Sequence, residues 1–223
     1  LKSAVEYCHV RGVKAYMTLN TILCDNELKR AFSEAVYAAQ CGIDAFITAD
    51  LGLASLLCEG LPDVPLHAST QMTVHSPAAL PALKKMGFSR VVISREMDKN
   101  SIASFCREAQ KIGMETEVFV HGALCMCMSG QCYLSSVLGG RSGNRGLCAQ
   151  PCRLPFKVEG GTGNDLSLKD MSLIDHIGEL ADMGVTSLKI EGRMKRPEYV
   201  AAATKAVRDK VDGVDITQID SDL

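Results

Sequence analysis

Four cysteines, Cys125, Cys132, Cys148 and Cys152, punctuate a glycine-rich, arginine-containing stretch between Glu117 and Arg153. Thiolates placed on flexible turns just past a strand can converge on a soft metal or an iron–sulfur cluster. Their separations are six, fifteen and three intervening residues. That is not the pair of C-x-x-C knuckles of structural zinc, nor the C-x-x-x-C-x-x-C run of radical S-adenosylmethionine enzymes. The spacing indicates a metal or cluster site and leaves the metal open. A fifth thiol, Cys127, stands in the same stretch as a spare or a competing ligand. Cys8, Cys24, Cys41, Cys58 and Cys106 lie scattered on helical or apolar stretches and read as small core residues.

Ten cysteines in a chain that opens without a secretory signal point to a reducing, cytoplasmic setting. The chain has 223 residues, 47% of them hydrophobic, which suits one sizeable core. A formal net charge of −2 advertises neither DNA nor a membrane surface, although a local basic patch can still serve RNA. No apolar run is long enough to span a bilayer.

The elements that must position the thiols follow one repeating unit: an amphipathic helix, a glycine, an apolar residue, then a short strand. It appears around Gly12, Gly42, Gly87, Gly113 and Gly184. Each glycine fits the left-handed position that ends a helix. Strands are expected at Ala15–Leu19, Ala45–Ala49, Leu66–Thr70, Arg90–Ser94, Glu115–Val120 and Ser187–Ile190. Strands alternating with helices mean βαβ units, a parallel sheet and an α/β fold. The three-glycine dinucleotide turn and the phosphate-loop pattern are both absent. The expected architecture is a (β/α)8 TIM-barrel-like parallel barrel whose opening strands precede Leu1. Residues 1–200 form the barrel domain, with the thiol loop at 121–153 and a β-hairpin insertion at 154–170. A helix is expected over Ser172–Met183, and a C-terminal helix with a loose acidic tail over 201–223.

Active sites of parallel barrels collect at the C-terminal ends of their strands. Asn20, Asp50, Ser69, Thr70, Gln71, Arg95, Glu96, His121, Glu191 and Arg193 all fall there. Of these, Gln71, Arg95, Glu96, His121 and Glu191 are the candidate catalytic residues. Any one of them alone is more simply a solvated loop residue; together they suggest a polar pocket. Arg141, Asn144, Arg145, Arg153, Lys189 and Arg193 are candidates to grip a phosphate or a carboxylate-bearing substrate. The bland alternative for these arginines is pairing with the thiolates and with carboxylates such as Glu96 and Glu191. Lys195 and Arg196 extend the basic group, and Tyr133 and Phe156 are the nearest stacking partners. His67 reads equally as buried structure or catalysis, and His9, His75 and His176 as surface or packing residues.

The run Glu117, Phe119, Gly122, Ala123, Leu124, Cys125, Gly130, Cys132, Leu134, Ser135 resembles the signature of the peptidase U32 family at every defined position. His67–Met72, Gly139–Arg153 and Ser187–Val200 are similar to the same family, so the resemblance covers nearly the whole chain. It implies two layers of function. The family takes its name from collagenase-like peptidase activity attributed to some members. Others carry a 4Fe-4S cluster on four cysteines and take part in oxygen-independent hydroxylation. Their targets are the wobble uridine of tRNA, a cytidine of rRNA or, acting with a partner subunit, a ubiquinone precursor, and prephenate is implied as a hydroxyl donor for the RNA reactions. Carried over by position, Cys125, Cys132, Cys148 and Cys152 would be the cluster ligands, and Cys127 is a departure. The residues themselves favour the second layer. A zinc peptidase would show His-Glu-x-x-His, which is absent. A thiol peptidase needs one low-pKa cysteine beside a histidine; Cys125 follows His121 closely, but four thiols in one loop read as ligands.

Overall fold

The computed structural model describes residues 1–193 and 195–213. The acidic tail expected after the last helix lies outside the described residues. Helices and strands alternate: α1 (Lys2–His9), β1 (Tyr16–Leu19), α2 (Asp25–Gln40), β2 (Ala45–Thr48), α3 (Leu51–Gly60) and β3 (Leu66–Ala68). They continue as α4 (Leu80–Lys85), β4 (Phe88–Val92), α5 (Lys99–Lys111), β5 (Glu115–Gly122), α6 (Leu134–Gly139), β6 (Met171–Ser172), α7 (Ile177–Asp182), β7 (Ser187–Ile190) and α8 (Pro197–Val211). The glycines of the repeating unit all adopt positive φ, from 61° at Gly113 to 90° at Gly42, as helix-ending positions require.

The sheet runs β1-β2-β3-β4-β5, with β7 parallel to β5 and the short β6 antiparallel to the end of β5. Six parallel strands curl into a half barrel covered by helices, the expected fold class. Three local expectations differ. β3 stops at Ala68 because the Ser69 hydroxyl accepts from the Gln71 amide and turns the chain into a 3-10 turn. Residues 154–170 hold no strand. There the Asp165 carboxylate gathers the amides of Val158, Thr162 and Gly163, so a side chain satisfies the turn in place of a ladder. The helix expected from Ser172 begins at Ile177, since Met171 and Ser172 pair with β5.

Alternation along the strands separates two environments. Leu66, Val91, Val118 and Val120 join the core beneath the helices. Their neighbours His67, Arg90, Glu117, Phe119 and Lys189 therefore face the concave side. Barrel interiors are usually filled by branched apolar side chains; this one is charged. The Glu117 side chain is 5% exposed and accepts from Lys189 Nζ at 2.6 Å, Ser187 Oγ at 3.0 Å and Arg90 Nη1 at 3.1 Å. Arg90 also reaches Glu115 at 2.7 Å. Burial alone would raise the Glu117 pKa, but Lys189, Ser187 and Arg90 overcome it and hold the carboxyl below its ordinary range. His67, buried beside Arg90, is pushed down to about 4 and stays neutral, with its Nδ1 unpartnered. Lys189, expected to hold substrate, is instead bonded into this network.

Removing one partner of a buried charge cluster strands the others, at a cost of about 3–5 kcal/mol. Glu117→Ala is expected to lose stability of that order in chemical denaturation at neutral pH. Because the folded pKa lies below the unfolded one, this contribution is present at neutral pH and fades as acid protonates the wild-type carboxyl. The gap between wild type and variant therefore narrows in acid. A variant as stable as wild type at neutral pH would refute the role given to Glu117.

A candidate cysteine-ligated centre across the strand ends

The thiol loop leaves the end of β5 and crosses the C-terminal ends of the strands. At Gly122, φ is +119° and an added Cβ would lie 2.7 Å from the Glu191 backbone oxygen, so only glycine lets β5 leave this close to the end of β7. Two guanidiniums then hold the carbonyls ahead of Cys125: Arg95 donates to Ala123 O at 2.7 Å and Arg153 to Leu124 O at 2.9 Å. Beyond β4, Glu96 accepts from both the amide and the hydroxyl of Ser129, at 2.8 and 3.1 Å. Past β3, Thr73 donates to Ser129 O at 2.7 Å. Gly130 lies so close to the Gln71 backbone that an added Cβ would stand 2.3 Å from its oxygen. Asn144 donates to Gly130 O at 2.6 Å. After β1, Arg145 donates to Ile22 O at 3.0 Å and to Glu27 at 2.6 Å. The Arg145 guanidinium and the Cys24 amide hold the half-buried Glu27 carboxyl at about 2.

These anchors seat the segments that carry the four thiols. Gly143 sits between Cys132 and Cys148, its Cβ position 3.5 Å from Cys132 O and 3.7 Å from Cys148 Cβ. The Cys148 sulfur accepts from the Gln150 amide at 3.4 Å and the Ser135 hydroxyl at 3.8 Å. Cys152 lies on the 3-10 turn Pro151–Arg153, fixed by the same Arg153 that holds Leu124. Burial pushes the Cys125 thiol up. Arg95 pulls it down, and Cys148, Cys152 and Cys132 push it up again. All ten cysteines are free.

Among the described residues, no three His, Cys, Asp or Glu side chains converge as ligands of a single ion. A four-iron cluster does not ask for that, since each thiolate binds a different iron. Four gathered thiols, with N–H and O–H donors aimed at one sulfur, are a donor set that fits such a cluster.

The expected catalytic residues separate into anchors and a rim. Glu96 and the Gln71 backbone hold the loop. Arg95 and Glu191 pair at 3.3 Å, and the guanidinium stacks on Phe119 at 3.8 Å. His121 departs from expectation. The register shifts between Phe119 and His121, so His121 stands opposite Ile190, a residue packed against the helix-side core. There its Nε2 meets the Tyr199 hydroxyl of α8 at 2.9 Å. Tyr199 in turn donates to Asp170 at 3.2 Å, and Asp170 pairs with Lys195.

Asp50 caps α3 instead of lining a pocket. Of the candidate substrate-binding residues, Arg145, Arg153 and Asn144 are committed to the loop. Arg141 and Arg193 are exposed, the first donating to Leu147 O at 3.1 Å and the second giving its backbone amide to Glu191. Tyr199, Asp170 and Ser129 were not singled out in the sequence; each works through a partner far along the chain or through a loop turn.

Gly130→Ala should force the loop off the Gln71 backbone, because positive φ and the 2.3 Å approach both oppose a side chain. The expected outcome is a lower Tm and faster reaction of the loop thiols with a thiol reagent, with the helical far-ultraviolet spectrum retained. Unchanged thiol rates would show that this contact does not seat the loop.

The model of peptidase family U32 matches residues 1–220. The 23S rRNA 5-hydroxycytidine C2501 synthase of Escherichia coli is 39% identical over 94% of this chain and 32% of its own length. An uncharacterized protease of Methanocaldococcus jannaschii is 38% identical over 96% of this chain and 55% of its own. The tRNA hydroxylation protein P of Helicobacter pylori strain J99 is 32% identical over 95% of this chain and 54% of its own. The chain thus spans about a third to a half of the length of these relatives.

Proposed function

Because the chain belongs to peptidase family U32, we propose that it serves oxygen-independent hydroxylation of an RNA base, in tRNA or rRNA, around a 4Fe-4S cluster. The observation that carries this is the seating, across the strand ends of a half barrel, of the one loop that bears Cys125, Cys132, Cys148 and Cys152. Relatives named for hydroxylating rRNA and tRNA support the reaction class. When bound, the cluster would supply one-electron chemistry or hold the loop in shape.

The chain's own residues do the rest. The Gln150 amide and the Ser135 hydroxyl donate to Cys148, stabilising negative charge on its sulfur. Arg95, Arg153 and Glu96 fix the backbone that carries Cys125 and its neighbours. Exposed Arg141, Arg193 and Arg196 offer charge for phosphates, with a base swung out of the RNA into the polar rim. A carboxylate-bearing hydroxyl donor such as prephenate suits the same basic side chains. These charges favour RNA over an apolar ubiquinone precursor. They also fit a cytoplasmic protein, and no described helix is long and apolar enough to cross a membrane. The peptidase reading fares less well, since His121, the histidine nearest Cys125 in sequence, bonds Tyr199 instead of a thiol.

The test is iron and acid-labile sulfide content of the full-length protein, purified anaerobically beside Cys132→Ala. About four irons per chain, lost in the variant, are expected. RNA from a deletion strain should lack one hydroxylated base by mass spectrometry, restored by wild type and not by Cys132→Ala. An iron-free wild-type protein, or an unchanged RNA profile, would overturn the proposal.

A further inference from the structure

Arg95 is bonded to the chain two residues before Cys125, and its surroundings are unusual for a rim arginine. Its side chain is 10% exposed. The guanidinium lies 3.8 Å from the centroid of Phe119, donates 2.7 Å to Ala123 O and sits 3.3 Å from Glu191. Its Nε is buried without a partner. Ala123 is two residues ahead of Cys125, so the charge is locked to the segment that bears the first thiol. Glu191 is 30% exposed and also accepts from the Arg193 amide, so it is the half of the pair that solvent reaches. A fixed, poorly solvated cation acts on a nearby thiolate far more strongly than a mobile surface lysine would.

Resting on the cluster reading above, we propose that Arg95 and Glu191 are positioning residues that set the electron affinity of the thiol-bound centre with opposite signs. Arg95 makes an added electron more favourable, and Glu191 tempers it by compensating that charge. The physics is that of charge and burial near a cluster, levers that move its reduction potential without altering a ligand. The same pair spans the strand ends from β4 to β7, on the rim where a substrate would approach. An anionic substrate that draws Arg95 from Glu191, or displaces Glu191, would therefore be felt at the centre as a change in potential.

The test is redox titration of the anaerobic full-length protein, followed by visible absorption and electron paramagnetic resonance, with iron content measured on every sample. Arg95→Gln should shift the midpoint to more negative values and Glu191→Gln to more positive values, both at wild-type iron content. The double variant should return towards wild type. Arg95→Lys keeps the charge without the planar fork and should shift less than Arg95→Gln, which separates charge from packing. Shifts of the same sign in both single variants, or no shift at full iron content, would overturn the inference while leaving the cluster intact. A wild-type protein without iron would overturn the reading on which it rests.

Discussion

The buried carboxylate of Glu117 is the interaction on which the rest of this half barrel depends. It sits on β5 and binds Arg90 from β4 and Lys189 from β7, so three adjacent strands meet on one side chain. An apolar interior could pack in several registers. A carboxylate with two cations and a hydroxyl around it accepts one arrangement, because any slip leaves a buried charge unpaired. That fixes the relative heights of β4, β5 and β7, and with them the rim above.

Phe119 lies one layer above Glu117 on the same face. Lys189 approaches its ring at 5.8 Å and Arg95 at 3.8 Å, so the ring lies between the charged floor and the rim. From the rim upward, the positive side chains act as anchors. Arg95, Arg153 and Arg145 each donate to a backbone carbonyl of a distant segment, and the thiol loop is held wherever they do so. Glycine completes this at Gly122 and Gly130, where the loop passes within contact of the Glu191 and Gln71 backbones. A loop with little regular structure is thereby seated by its ends and its crossings, which is what a multi-thiol donor set needs.

Much of this was legible in the sequence. The helix–glycine–strand unit gave five of the six parallel strands their places, because the glycine and the apolar residue after it are local requirements of a helix end. The strand at Leu66–Ala68 lay outside that unit and was still expected, over Leu66–Thr70, after the turn that holds Pro62 and Pro65. The thiol-rich loop stood out by residue type and spacing. The β insertion was not, because the glycine-rich run looks like a hairpin until Asp165 is seen to take up its amides. Lys189 and Arg145 were assigned to substrate because basic residues near a thiol loop suggest it. Their partners, Glu117 and Glu27, lie 72 and 118 residues away, beyond any local pattern.

By itself, the sequence determined the fold class and the family, since periodicity, helix-end glycines and motif spacing are encoded by neighbours along the chain. The tertiary structure alone decided which charges are anchors and which face the rim. One extra residue at the end of β5 turned His121 to Tyr199, and the pairing of β5 with β7 set Glu191 against Arg95. Both outcomes depend on strand register, and register is settled by packing between segments that the chain brings together only when it folds.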